Sequence, residues 1–134
     1  MTREIHVSAA VVVDAEGRAL LVRKRGTTRF MQPGGKPESG ESAAQTLARE
    51  LAEEVGIEVA PSALHPLGTF RADAANEPGF TVVAETFSLV VDPREVAIGH
   101  EIEEARWISA GQEGTLPLAP LSDVLLPLAW GPTA

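Results

Sequence analysis

The 134-residue chain contains no cysteine and no tyrosine. Without cysteine it can form no disulfide, thiolate nucleophile or Cys-type zinc site. Apolar runs are short: Ala9 to Val13 and Leu89 to Val91 fall far below the ~20 residues that span a bilayer. A helical membrane span is therefore excluded, and no membrane role is expected. Basic residues are scarce, with 11 Lys and Arg against 19 Asp and Glu and a formal net charge of -8. That balance argues against a protein that coats nucleic acid, because such binding relies on Lys and Arg meeting many phosphates. No apolar signal-peptide core follows the opening Met1-Thr2-Arg3-Glu4, so a cytoplasmic enzyme or binding protein is expected.

What is present suits one folded unit. Hydrophobic residues make up 44% of the chain and charged residues 22%, as in ordinary globular proteins, and the length suits a single domain over residues 1–134. The charge is unevenly spread. Residues 1–49 hold eight of the eleven basic residues and five acids, net +3, whereas residues 50–134 carry net -11. Clustered acid facing clustered base is what a site needs to hold metal cations and polyphosphate together, although solubility alone would also account for the acid excess.

Periodicity places the elements. Residues 4–13 begin with alternation and end in a continuous β-branched run, which predicts a strand buried on both faces. Asp14-Ala15-Glu16-Gly17 reads as a tight turn, and residues 19–25 as the returning strand, apolar first and basic at its end. Residues 26–40, rich in Gly, Pro, Thr and Ser, read as loop with at most a short strand around Phe30. Further strands are expected over 64–72, 80–91 and 104–109. Leu121 to Trp130 could form a closing helix, which Pro127 would break or kink.

The clearest element is a helix that starts at Ser42 and ends at Val55. Ser42 and Gln45 make a capping box, Gly56 suits a left-handed cap, and Ala44, Leu47, Ala48, Leu51 and Val55 form one apolar stripe. Glu50, Glu53 and Glu54 stand at i, i+3 and i+4, so three like charges share a face. Hard divalent cations among them would relieve the repulsion. Taken alone, three such glutamates are more simply a solvated acidic surface. The residues around them change that reading.

Gly35, Glu41, Arg49, Glu50, Leu51, Glu53, Glu54, Gly56 and Ile57 meet every specified position of G-x5-E-x7-R-E-U-x-E-E-x-G-U, with U a bulky aliphatic residue. This stretch, residues 35–57, resembles the signature of the Nudix hydrolases. The resemblance implies an α/β fold of the Nudix type, an α/β/α sandwich with a mixed central β-sheet. It also implies that Glu50, Glu53 and Glu54, with Gly35 in the adjoining loop, bind Mg²⁺ or Mn²⁺ bridging substrate phosphates, and that one of the glutamates accepts a proton from the attacking water. Gly34 and Gly35 permit a sharp loop whose carbonyls can turn toward the metal. Arg49 is placed to bond Glu53 or Glu41 and hold the carboxylates in position. The reaction so implied is hydrolysis of a nucleoside diphosphate linked to another moiety, by water attacking phosphorus in line with its leaving group.

The same resemblance suggests substrate contacts. Arg25 corresponds to a phosphate-contacting arginine of mutator-type members, and Arg23 projects the same way by strand alternation. One of Glu101, Glu103 and Glu104 could add a metal ligand, with surface charge the simpler role for each. The marks of other subfamilies are missing: there is no tyrosine for the dinucleoside polyphosphate group, and Asp73 stands where the ADP-ribose group has proline. Residues 115–126 are similar to a Pro-rich segment entering the last helix of triphosphate pyrophosphohydrolases, where an Asn or Asp reads the base. Here Ser122 or Asp123 would do so, or would simply cap the helix. The expectation is a Mg²⁺-dependent enzyme cleaving a nucleoside (deoxy)triphosphate, ordinary, oxidised or otherwise non-standard, to monophosphate and pyrophosphate. Hydrolysis of ADP-ribose or a nucleotide sugar, and a non-catalytic nucleotide sensor, are the alternatives. The partner is a small nucleotide rather than a nucleic acid, and family habit makes a homodimer conceivable. His6, His65 and His100 stand alone and are read as structural or surface residues.

Overall fold

The computed structural model describes residues 3–75 and 77–130. Its strands are β1 (Arg3–Val13), β2 (Ala19–Lys24), β3 (Gly34–Gly35), β4 (His65–Asp73), β5 (Phe80–Val90) and β6 (Ile102–Ile108). The helices are α1 (Ala43–Val55) and α2 (Pro120–Leu125), and short 3₁₀ turns connect several elements. The strands form one mixed sheet in the order β4-β5-β1-β2-β6, with β3 paired to β1. β1 runs parallel to β5 from Arg3↔Phe80 to Val13↔Val90, while the other pairings are antiparallel.

The β-branched run of β1 explains the layering. Ala10 and Val12 pack with Leu20, Val22, Leu47, Leu51 and Val55 under α1. Ala9 and Val11 face the other way, against Ala84 and Leu125, and Ala19 and Leu21 join Phe30, Ile108 and Leu126 on that second face. Successive residues thus serve opposite cores, which is why the strands read as continuous apolar runs. α1 covers one face and α2 the other, giving the expected α/β/α sandwich.

β1 and β2 are joined by the Asp14–Gly17 turn and then diverge, with register recorded only at Val13↔Ala19. The chain from Phe30 to Gly35 fills the opening between them. Met31 bridges Val22 of β2, the Ala10 N–H of β1 donates to the Pro33 carbonyl, and Gly34 and Gly35 pair with Ala9 and Ser8. The loop expected over 26–40 therefore contains short β contacts at Phe30, Met31 and Gly34–Gly35. Several strand boundaries shift by one residue from the periodicity reading, and two differ by more. β6 begins at Ile102, which puts Glu103 and Glu104 on a strand, and the helix expected to Trp130 is α2 alone followed by a 3₁₀ turn over Leu126–Ala129. Pro127 accounts for the second difference, since it has no N–H for the helical ladder.

Candidate active site

α1 is set at both ends. The Ser42 side chain accepts from the Gln45 N–H, the Gln45 side chain accepts from the Ser42 N–H at 2.8 Å, and Gly56 closes the helix in the left-handed conformation with φ 71°. The Ser8 hydroxyl donates to the Ala43 carbonyl at 2.8 Å, tying the first turn to β1. At the far end the Ala97 and Gly99 N–H groups donate to the Val55 and Glu54 carbonyls. With Leu47, Leu51 and Val55 buried against the sheet, the helix cannot rotate, and the three glutamates meet different surroundings. The Glu54 side chain is 3% exposed, Glu50 16% and Glu53 60%.

Arg49 gathers the charge around it. Its Nε and Nη2 donate to the two oxygens of Glu41 at 2.7 and 3.0 Å, and Nη1 donates to Glu50 Oε1 at 2.8 Å and reaches Glu53 Oε2 at 3.5 Å. Nη2 also donates to the Lys36 carbonyl at 3.1 Å, which fixes the loop after β3 to the helix. These bonds hold the Glu41 carboxyl down at about 2 and push the guanidinium further up. Arg49 thus bonds both partners expected of it, Glu41 in bidentate fashion.

Gly34 and Gly35 let the chain pass where a side chain would not fit. A Cβ on Gly35 would lie 2.5 Å from the Glu50 carboxyl carbon, and one on Gly34 would lie 2.0 Å from the Ser8 carbonyl oxygen. The Gly34 N–H donates to Glu54 Oε1 at 2.9 Å. The other oxygen, Oε2, is buried with no hydrogen-bond partner among the described residues, and Lys24 Nζ lies 3.7 Å away. Burial pushes the Glu54 carboxyl up to about 7; the Gly34 N–H and Lys24 oppose that rise, and the charge of Glu50 adds to it.

These donors suit a hard divalent cation. Carboxylate oxygens are its preferred ligands, one of them is buried and without a hydrogen-bond partner among the described residues, and the missing Cβ at Gly35 lets the Glu50 carboxylate lie directly against the glycine loop. Among the described residues, no three acidic or imidazole side chains form a ready-made metal cage. Glu50 and Glu53 pair with Arg49 instead, and Glu54 with the Gly34 N–H.

A cleft of about 470 Å³ opens over this group. Lys24, Lys36, Arg49, Glu50, Gly35 and Glu101 line one part, and Val7, Met31, Val82, Ala119 and Leu121 line another, with Gln32 among them. The other expected contacts lie elsewhere. Arg23 sits over the Phe30 ring at 6.0 Å, donates to the Thr27 carbonyl and lies 3.5 Å from Glu104. Arg25 is exposed, donating to the His100 carbonyl and pairing with Glu103. Ser122 is buried and donates to Gln32 Oε1 at 2.7 Å, while exposed Asp123 borders a separate hollow with Leu118, Pro127 and Trp130. α2 is capped at Ala119 without a side-chain bond, so neither Ser122 nor Asp123 is its N-cap. Of the three late glutamates, only Glu101 reaches the cleft.

Lys24, Gln32 and Lys36 were not anticipated. Alternation could have found Lys24, because Leu20, Val22 and Lys24 share one face of β2, and that face meets α1. No sequence signal marks Gln32.

Comparison with known proteins agrees with this geometry. The NUDIX domain family matches residues 2–128. The chain is 32% identical over 113 residues to the uncharacterized Nudix hydrolase YvcI of Bacillus subtilis, covering 81% of this chain and 69% of that protein. Two longer curated relatives are matched over only 32% and 38% of their length. Among solved structures, the NUDIX hydrolase from Nitrosomonas europaea superposes with a TM-score of 0.72 at 28% identity, covering 93% of this chain and 87% of that one. The bifunctional NMN adenylyltransferase/ADP ribose pyrophosphatase from Francisella tularensis, complexed with AMP and a Mn ion, shares the fold with a TM-score of 0.70 at 20% identity, over 96% of this chain and 43% of that one.

Proposed function

The chain belongs to the Nudix family of hydrolases, which act on pyrophosphate bonds, and from that premise we propose that it is a Mg²⁺-dependent pyrophosphohydrolase of a nucleoside (deoxy)triphosphate, ordinary, oxidised or otherwise non-standard, releasing monophosphate and pyrophosphate. One observation carries the reading. A single cleft joins carboxylates and two lysines to a region lined by Val7, Val82 and Leu121, so it offers one end to a polyphosphate and the other to a base.

A divalent cation bound by Glu50, Glu53 and Glu54 would neutralise phosphate charge and polarise the phosphoryl oxygens. Lys24 and Lys36 attract the phosphates, and Arg49 holds Glu50 in the cleft wall and reaches Glu53 at 3.5 Å. The water oxygen forms a bond to phosphorus, the bridging anhydride P–O bond breaks, and its electron pair leaves with pyrophosphate. One of the three carboxylates takes the water proton. Catalysis of this kind rests on positioning and charge stabilisation rather than on a covalent intermediate.

The test is product identity. Ordinary and oxidised nucleoside triphosphates, ADP-ribose and nucleotide sugars are incubated with the protein and Mg²⁺, beside Glu53→Gln. Monophosphate plus pyrophosphate from a triphosphate, strongly reduced in the variant, is the expected result. Turnover of the diphosphate-linked sugars alone would replace the substrate class, and tight binding without turnover would make the protein a sensor.

A further inference from the structure

We propose that Gln32 selects the substrate's base by donating from its carboxamide to an exocyclic carbonyl oxygen, with Ser122 as the positioning residue that holds the carboxamide in that orientation. The proposal rests on the nucleotide reading above. Gln32 is 7% exposed and lines the cleft beside Met31, Ala119 and Leu121. Its Oε1 accepts from the Ser122 hydroxyl at 2.7 Å, and its Nε2 is buried with no partner among the described residues. A buried amide nitrogen left unpaired costs free energy, and native structures leave few of them. A ligand acceptor at this place removes the cost.

The orientation follows from the hydroxyl. Ser122 has one proton to give, and its other acceptor, the Phe30 carbonyl, is 3.5 Å away. Reversing the carboxamide would turn the hydroxyl into an acceptor and leave its proton only the Phe30 carbonyl at 3.5 Å, too long for a good bond, so the oxygen stays toward Ser122 and the two N–H bonds stay free. Ser122 is itself fully buried in α2, which makes the pair rigid. A carbonyl oxygen projects from the ring edge of guanine, hypoxanthine or uracil and can accept one of those N–H bonds. Adenine offers an amino donor instead and has no exocyclic carbonyl. Discrimination by a buried polar group exceeds what an apolar wall can provide, because the wrong base leaves the group unpaired.

The experiment measures kcat/KM for GTP, ITP, UTP and ATP with Mg²⁺, and Kd for the corresponding monophosphates by calorimetry, in wild type, Gln32→Met and Ser122→Ala. Wild type should favour the carbonyl-bearing bases over adenine roughly tenfold or more. Gln32→Met, close in shape but without donors, should bring that ratio near one while adenine nucleotides change little. Ser122→Ala should narrow the ratio partway, through KM rather than kcat. A folding defect lowers all substrates together and leaves the ratio alone, and Gln32→Asn, which keeps the chemistry with a shorter reach, supplies a second variant if Gln32→Met does not fold. A ratio near one in wild type, a preference for adenine, or a ratio that survives Gln32→Met overturns the proposal. Turnover of triphosphates without base preference would sink Gln32 as selector and leave the pyrophosphohydrolase standing. Absence of any turnover would sink the latter, and the Kd ratios would still decide the former.

Discussion

At the charged end of the cleft, Gly34, Gly35, Arg49 and Glu50 come from one short stretch of chain, on a glycine strand and the helix that follows it. At the apolar end, Val7, Val82, Ala119 and Leu121 come from β1, β5, the residue before α2 and α2 itself. The first end is arranged by α1, whose capping box, glycine cap and apolar stripe are all local. The second exists only after the sheet has formed and α2 has docked on it. Substitutions at the charged end should therefore affect every substrate alike, and substitutions at the apolar end should affect substrates unequally.

The largest effect is expected from Glu50→Gln, Glu53→Gln or Glu54→Gln. Each should lower kcat/KM by roughly 100-fold or more for all substrates, with the circular dichroism spectrum unchanged. A variant that spared one substrate would break the division between the two ends. Arg49→Lys should cost roughly 10- to 100-fold, because an ammonium cannot reproduce the two-pronged bond to Glu41 while also holding Glu50. Leu121→Ala should raise KM several-fold, up to roughly tenfold, with kcat nearly kept, as expected when uniform apolar binding is lost. Steady-state kinetics on two substrates of different base checks both.

Two smaller effects concern what holds α1 in place. Ser42→Ala should cost about 1 kcal/mol of unfolding free energy in a denaturant titration, through loss of the bond to the Gln45 N–H. Acid provides the other. Glu41 is held at about 2 in the folded protein against an ordinary value of 4.5, mainly by its bonds to Arg49. Below 4.5 the unfolded chain takes up a proton that the folded chain refuses. The stabilisation is therefore complete above that pH and is lost as pH falls toward about 2. In Glu41→Gln the stability profile should be flatter across that window.

Much of this was readable from residue order. The strand over 4–13, the hairpin return, α1 with both caps, and the shared face of the three glutamates follow from periodicity, capping and spacing, all of them short-range. The placements that differ are those made by contacts across the fold. Arg23 was expected to point with Arg25 toward phosphate, yet a register shift between Arg23 and Lys24 accompanies its seat over Phe30, and Lys24 is the residue that meets Glu54. Ser122 or Asp123 was expected to read a base or to cap the helix, but docking of α2 buries Ser122 against Gln32 and puts Asp123 at a separate hollow.

The amino-acid sequence by itself determined which residues form α1, which glutamates share its face, and that glycines stand where the chain must pass close to them. Helix formation, capping and side-chain spacing depend on neighbours a few positions away, so they are carried by local order. Only the tertiary structure decided that Glu54 is buried while Glu53 is not, and that the Gln32 amide nitrogen ends buried with no partner among the described residues. Burial, and the pairing of groups far apart along the chain, are set by which surfaces the whole fold brings together.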